Sequence, residues 1–265
     1  MSHWEAVILG IIQGLTEFLP VSSSGHLELG KALFGLQEVD LTFSILVHGA
    51  TALSTVVVFR KDIAALVTGG FSSVPDERTR SWRYIGWLAL STLPAVAVAF
   101  TLRDQIESVF IEHPNRVGWS LCATALILFI SERLATKTNK LSGRRVLGIG
   151  LAQAFAIIPG ISRSGSTIGT AIALGISREE AARFSFLMAL PVIFGATALE
   201  LKDLIEEGFG GASAVSFSAY GAGTLAAFIS GWVACQWMIK LVRRTNLNVF
   251  AVYCLIAGLL AAWLI

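Results

Sequence analysis

Charge is scarce in this chain. Of its 265 residues only 14% are Asp, Glu, Lys or Arg, against about 25% in a soluble domain. The basic excess is just +2, which excludes the broad cationic face of a nucleic-acid binder. Three cysteines, Cys122, Cys235 and Cys254, lie far apart in apolar runs. They make neither a disulfide framework nor a zinc site and read as small core residues. No Walker loop, HExxH or CxxC occurs. The opening "MSHWEAVILG" lacks a cationic stretch, so no cleaved signal peptide is expected. Hydrophobic residues, by contrast, make up 54% of the chain. The expectation is an all-α polytopic membrane protein forming one integral membrane domain over 1–265.

Six stretches are long enough to cross a bilayer: 43–60, 83–103, 116–134, 184–200, 216–240 and 247–265. Two further regions are apolar but interrupted. Arms 4–19 and 25–35 flank "PVSSSGH", and arms 146–158 and 166–176 flank "PGISRSGS". Each arm makes roughly 15–24 Å of helix at 1.5 Å per residue, short of a hydrocarbon core of about 30 Å. The reading is a pair of re-entrant helix hairpins, buried in protein or lining a wet cavity.

The hairpins are copies. At an offset of 140, Gly10 meets Gly150, Gln13 meets Gln153, Ser22 meets Ser162, Ser24 meets Ser164, Gly25 meets Gly165 and Gly35 meets Gly175. "FSIL" (43–46) then matches "FSFL" (184–187), and "GATAL" occurs at 49–53 and 195–199. Each half, 1–140 and 141–265, is a hairpin plus three crossings. Three is odd, so the two repeats have inverted topology and their turns meet near the midplane. Loops 60–83, 133–145, 177–183 and 240–246 carry fifteen of the twenty Lys and Arg: Arg60, Lys61, Arg78, Arg80, Arg83, Arg133, Lys137, Lys140, Arg144, Arg145, Arg178, Arg183, Lys240, Arg243 and Arg244. The opposite side holds four, Lys31, Arg103, Arg116 and Lys202. The positive-inside rule puts the richer side in the cytoplasm and both termini outside. Trp82, Trp119 and Trp263 lie near span ends, as interfacial aromatics do.

Arg163 is the twentieth cation, inside the second turn. An ionisable residue at membrane depth is a functional-site hypothesis by default. The first turn region offers Glu17, Ser22, Ser23, Ser24 and His26, the second Ser162, Arg163, Ser164, Ser166 and Thr167. Each turn precedes a helix N-terminus, expected at Gly25–His26 and Gly165–Ser166, where free N–H groups favour phosphate. Arg163 adds a planar fork for phosphate oxygens, and glycines 25, 160 and 165 would let backbone approach a ligand. Blander roles compete. Ser and Gly also pack helices closely, Glu17 could be the counter-ion of Arg163, and His26 an interhelical hydrogen-bonder. His48 and His113 read as structural or interfacial and His3 as terminal; Asp76–Glu77 and Glu206–Glu207 read as solvated charges.

"QGLTEFLPVSSSGH" (13–26) and "PGISRSGST" (159–167) resemble the two signature motifs of the undecaprenyl-pyrophosphate phosphatase family, known also for bacitracin resistance. The likeness extends to "FSFLMALPVIFGATALEL" (184–201) and to the span pattern. It implies a hydrolase of the bacterial cytoplasmic (inner) membrane, opening to its outer face. The enzyme would release phosphate from a C55 isoprenoid pyrophosphate lipid and so recycle the carrier for cell-wall synthesis. It also implies a divalent cation, Mg2+ or Ca2+, and membrane lipids as surroundings; a homodimer is left open. By position, Ser23 matches the nucleophile, His26 the essential histidine, and Glu17 the second acid of (E/Q)xxxE, a metal ligand or support for the base. Gln13 matches the first position of that motif, where an acid is common. Arg163 matches the motif arginine, and Ser162, Ser164 and Thr167 its hydroxyls; with Ser22 and Ser24 these are the expected phosphate-binding groups.

The residues themselves leave three nucleophiles open: Ser23 with His26 as its base, His26, and a metal-bound water. A second class of function, a lipid-phosphate transporter or flippase, fits the inverted repeat as well. A passive structural protein would not need His26 and Arg163 at depth.

Overall fold

The computed structural model describes residues 1–36, 41–112, 115–135, 139–206 and 216–264. His113, Lys137 and Glu207 lie outside the described residues. The chain is helical: α1 His3–Phe18, α2 Ser23–Phe34, α3 Leu41–Val58, α4 Arg60–Gly70, α5 Pro75–Glu112, α6 Arg116–Leu134, α7 Gly143–Phe155, α8 Arg163–Ala173, α9 Arg178–Glu206, α10 Phe217–Arg244 and α11 Asn248–Leu264. Among the described residues four segments are long and apolar enough to cross a membrane: Pro75–Arg103, Arg116–Leu134, Arg178–Lys202 and Phe217–Arg244. The pair α3 and α4, bent by 68°, makes a fifth if it is one span. The protein is therefore an integral, polytopic membrane protein.

Two expectations change here. The segment 60–83 is not a loop, because α4 and the first turns of α5 fill it; Asp62 and Asp76–Glu77 sit in the first turns of those helices, where carboxylates favour the dipole. The stretch at 247–265 forms α11, an apolar helix of 17 residues that falls short of the four spanning segments.

The two hairpins are built alike. Ser22 caps α2 by accepting from Gly25 N at 3.3 Å, and Ser162 caps α8 by accepting from Gly165 N at 3.0 Å. Gly35 (φ 63°) ends the first hairpin and Gly175 (φ 84°) the second, both left-handed, where a Cβ is disfavoured. The first arms also pack alike, each on a long helix of the other half: α1 along α10, α7 along α5. A Cβ on Gly10 would sit 2.2 Å from Gly223 O, and one on Gly150 would sit 2.6 Å from Ser91 O. These are the close backbone approaches that small residues permit in membrane helices. Outside the hairpins α6 lies along α11.

The helix ends that charge counting gathers on one side do meet. Arg178 pairs with Glu132, Arg183 with Asp62, and Arg243 with Glu179. Those contacts join the starts of α4 and α9 to the ends of α6 and α10. At the far end of α10, Ser218 instead meets His3, at 2.7 Å.

Candidate active site

The turns between α1 and α2 and between α7 and α8 touch through matching serines. Ser24 Oγ accepts from Gly160 N at 3.2 Å, and Ser164 Oγ donates to Leu19 O at 2.8 Å. Each serine thus reaches the chain entering the other turn. Thr124 of α6 braces the second turn from behind, donating to Gly160 O at 3.1 Å and accepting from Ser162 N at 2.9 Å.

Glu17 is the centre. It is 8% exposed, and its carboxylate has three donors. Arg163 Nη2 pairs with Oε1. Ser23 Oγ donates to Oε2 at 2.8 Å, and Gln13 Nε2 donates to the same oxygen at 3.0 Å. A buried carboxylate needs such partners, because an unpaired charge there is costly. Gln13 and Glu17 are one helical turn apart on α1, which brings both to one face. Three polar atoms of the candidate residues are buried with no partner among the described residues, Gln13 Oε1, Arg163 Nη1 and Ser166 Oγ. So one arm of the guanidinium holds Glu17, and the other is a buried donor with no partner among the described residues.

His26 is turned elsewhere. Its Nδ1 lies 2.8 Å from Ser22 O and its Nε2 lies 2.7 Å from Tyr253 OH, with the two rings stacked at 5.5 Å. A carbonyl only accepts, so Nδ1 carries the proton, and in the neutral ring Nε2 accepts from the tyrosine. The i to i+3 spacing therefore does not bring Ser23 onto His26; the serine's partner is Glu17. Ser22, which anchors this arrangement, has φ 68°, a conformation that costs a non-glycine residue about 1–3 kcal/mol and recurs at functional sites.

The hydroxyls of Ser162, Ser164 and Thr167 bond the scaffold. Ser162 is a cap, Ser164 straps the turns together, and Thr167 donates to Arg163 O at 2.8 Å and meets Ser185 Oγ. Because the caps belong to Ser22 and Ser162, the helices begin at Ser23 and Arg163, two residues ahead of the expected starts. Gly25 and Gly160 face neighbouring protein, not open space. A Cβ on Gly25 would meet Leu121 at 3.2 Å, and one on Gly160 (φ +87°) would meet Ser120 and Val117 O at 2.6 Å. Their small size lets the turns sit against α6. His48 is tied to its own helix, with Nδ1 2.9 Å from Ser44 O, and all three cysteines are free thiols.

Sequence reasoning missed Tyr253, Thr124 and Ser185. Tyr253 had a signal only in retrospect, as a hydroxyl within an apolar helix. Thr124 sits one turn from Ser120 on the buried face of α6.

A family model described as bacitracin resistance protein BacA matches residues 6–260. The undecaprenyl-diphosphatase of Christiangramia forsetii is 47% identical over 264 residues, covering 98% of this chain and 97% of its own. That of Bacteroides thetaiotaomicron is 44% identical over 263 residues, with 98% and 97% covered. That of Salinibacter ruber is 41% identical over 275 residues, with both chains covered in full, 100% and 100%.

Proposed function

The chain belongs to the BacA bacitracin resistance family, and from that premise we infer that it hydrolyses undecaprenyl pyrophosphate to undecaprenyl phosphate and inorganic phosphate. The observation that carries the mechanism is the shared carboxylate: Glu17 holds the Ser23 hydroxyl and the Arg163 guanidinium at once. Ser23 Oγ attacks the terminal phosphorus while Glu17 takes its proton. The bond to the bridging oxygen breaks, and undecaprenyl phosphate leaves. Water then cleaves the phosphoserine, with Glu17 returning a proton to Ser23. Arg163 binds the equatorial oxygens through Nη1, where charge must be offset in phosphoryl transfer.

The family resemblance also implies a divalent cation. Among the described residues no three His, Cys, Asp or Glu gather to hold one. Glu17 and the unpartnered Gln13 Oε1 nonetheless fit magnesium, which takes one or two protein oxygens and completes its shell with water and substrate phosphates. When bound, such an ion neutralises charge on the pyrophosphate. Calcium, with 6–8 oxygen ligands, suits this small donor set less well.

We read the halves 1–140 and 141–265 as inverted-topology repeats, supported by the exchanged packing of α1 on α10 and α7 on α5. The ion-pair cluster at the ends of α6 and α10 then faces the cytoplasm of the bacterial inner membrane. Both termini face outward, and the site opens to the outer face. Transport of the lipid phosphate is the weaker reading, because a carrier has no use for a hydroxyl poised on a buried carboxylate. Purified protein in detergent tests this, since transport is impossible there. Phosphate release from the C55 lipid pyrophosphate, abolished by chelator, is expected; no release from a folded protein would return the transport reading.

A further inference from the structure

The two turns are sealed to different degrees. In α8 eight of eleven residues are buried, against α6, α7 and α9. In α2 only Gly25, Leu27 and Gly30 are buried, and it rests chiefly on α1. Among the described residues α11 packs along α6 and not along α2. What bridges α2 and α11 is a side-chain pair, His26 and Tyr253, through one hydrogen bond and a parallel stack. Tyr253 is 48% exposed and shares its helix with outward Val249, Val252, Ile256 and Leu260. An apolar face of that kind meets lipid tails. The pair therefore stands where the acyl region meets the catalytic turn, three residues from Ser23.

We propose that the polyprenyl pyrophosphate enters sideways between α2 and α11, and that Tyr253 is a substrate-binding residue whose hydroxyl passes from His26 Nε2 to an oxygen of the incoming pyrophosphate. The proposal rests on the phosphatase reading above. Its chemistry follows from the donors present. A neutral Nε2 offers nothing to an anion, whereas a tyrosine O–H bonds an ionised oxygen more strongly than a neutral acceptor. The exchange leaves Nε2 free, beside the turn, to accept a proton from water during cleavage of the phosphoserine. The Nδ1 bond to Ser22 O keeps the ring in place throughout.

Tyr253→Phe keeps the ring stack and removes only the hydroxyl. It should raise KM for the C55 pyrophosphate about 3- to 10-fold, the surplus a donor gains on an ionised acceptor. An unchanged KM, or a fall in kcat alone, would overturn the proposal and leave Tyr253 as an orienting partner of His26. A photoreactive benzophenone side chain at 253 should also cross-link to the lipid pyrophosphate far more than one at Phe100, which is 71% exposed on α5. Equal labelling of the two positions would reject entry at this seam. Cross-linking reads binding without hydrolysis, so labelling of the 253 benzophenone variant, together with no phosphate release by the folded wild-type protein, would refute the phosphatase reading and keep the seam.

Discussion

The two hairpins are the same object with different contents. At the offset that aligns them, the positions that shape the turn agree: the capping Ser22 and Ser162, the strapping Ser24 and Ser164, the left-handed Gly35 and Gly175. The positions that carry chemistry differ. Glu17 stands opposite Ile157, Ser23 opposite Arg163, and His26 opposite Ser166. Gln13 bonds Glu17, whereas both polar atoms of its counterpart Gln153 are buried with no partner among the described residues. On the proposed mechanism, one hairpin thus presents the nucleophile and base and the other the cation. The loosely covered arm holds the hydroxyl, and the buried arm holds the guanidinium in place.

Breaking the comparison at its chemical positions should give the largest effects. Ser23→Ala removes the attacking oxygen and should lower kcat by several orders of magnitude, as loss of a nucleophile does. Phosphate release by the folded variant checks this, and near-normal turnover would hand the attack to His26 or water. Arg163→Lys keeps the charge and loses the fork, so Glu17 stays paired while the phosphate clamp fails. A drop of about 10²–10³ in kcat is expected, the usual loss for one preorganised donor. Turnover within a few-fold of wild type would reduce Arg163 to a counter-ion. Gln13→Glu should stay active and lower the half-saturating magnesium concentration, because a carboxylate is the harder oxygen ligand. An unmoved metal titration would show that position 13 does not touch the ion. The smallest effect belongs to the other copy. Gln153→Met should leave activity intact and raise stability by about 1 kcal/mol, by removing an unsatisfied buried amide. A fall in thermal midpoint in detergent would mean that Gln153 has a partner after all.

Much of this was legible in the sequence. Composition and run lengths gave the membrane class, and the offset of 140 gave both hairpins and their matched glycines, but not that Ser22 and Ser162 are the helix caps. The residues of the Glu17–Arg163 pair were both visible, because charges are rare in apolar arms. What the sequence hid was direction. Ser23 is three residues from His26 and six from Glu17, yet its hydroxyl turns to Glu17, since the tight turn at Ser22 folds α2 back over the end of α1. Proximity in sequence pointed the other way. Tyr253 lies 227 positions from His26, and only the packing of α11 beside the catalytic turn brings it there. The partners of Ser164 and Thr167 were hidden for a similar reason: their acceptors, Leu19 O and Arg163 O, are set by how the turns pack.

The central claim is that Ser23, activated by Glu17, becomes the phosphorylated group. Rapid acid quenching of the purified enzyme with undecaprenyl pyrophosphate labelled in its terminal phosphate, followed by peptide mass spectrometry, tests it most directly. Transient phosphoserine is expected at Ser23, absent in Glu17→Gln and chased by unlabelled substrate. Label on His26, or full turnover with no phosphoenzyme in the first cycle, would contradict it.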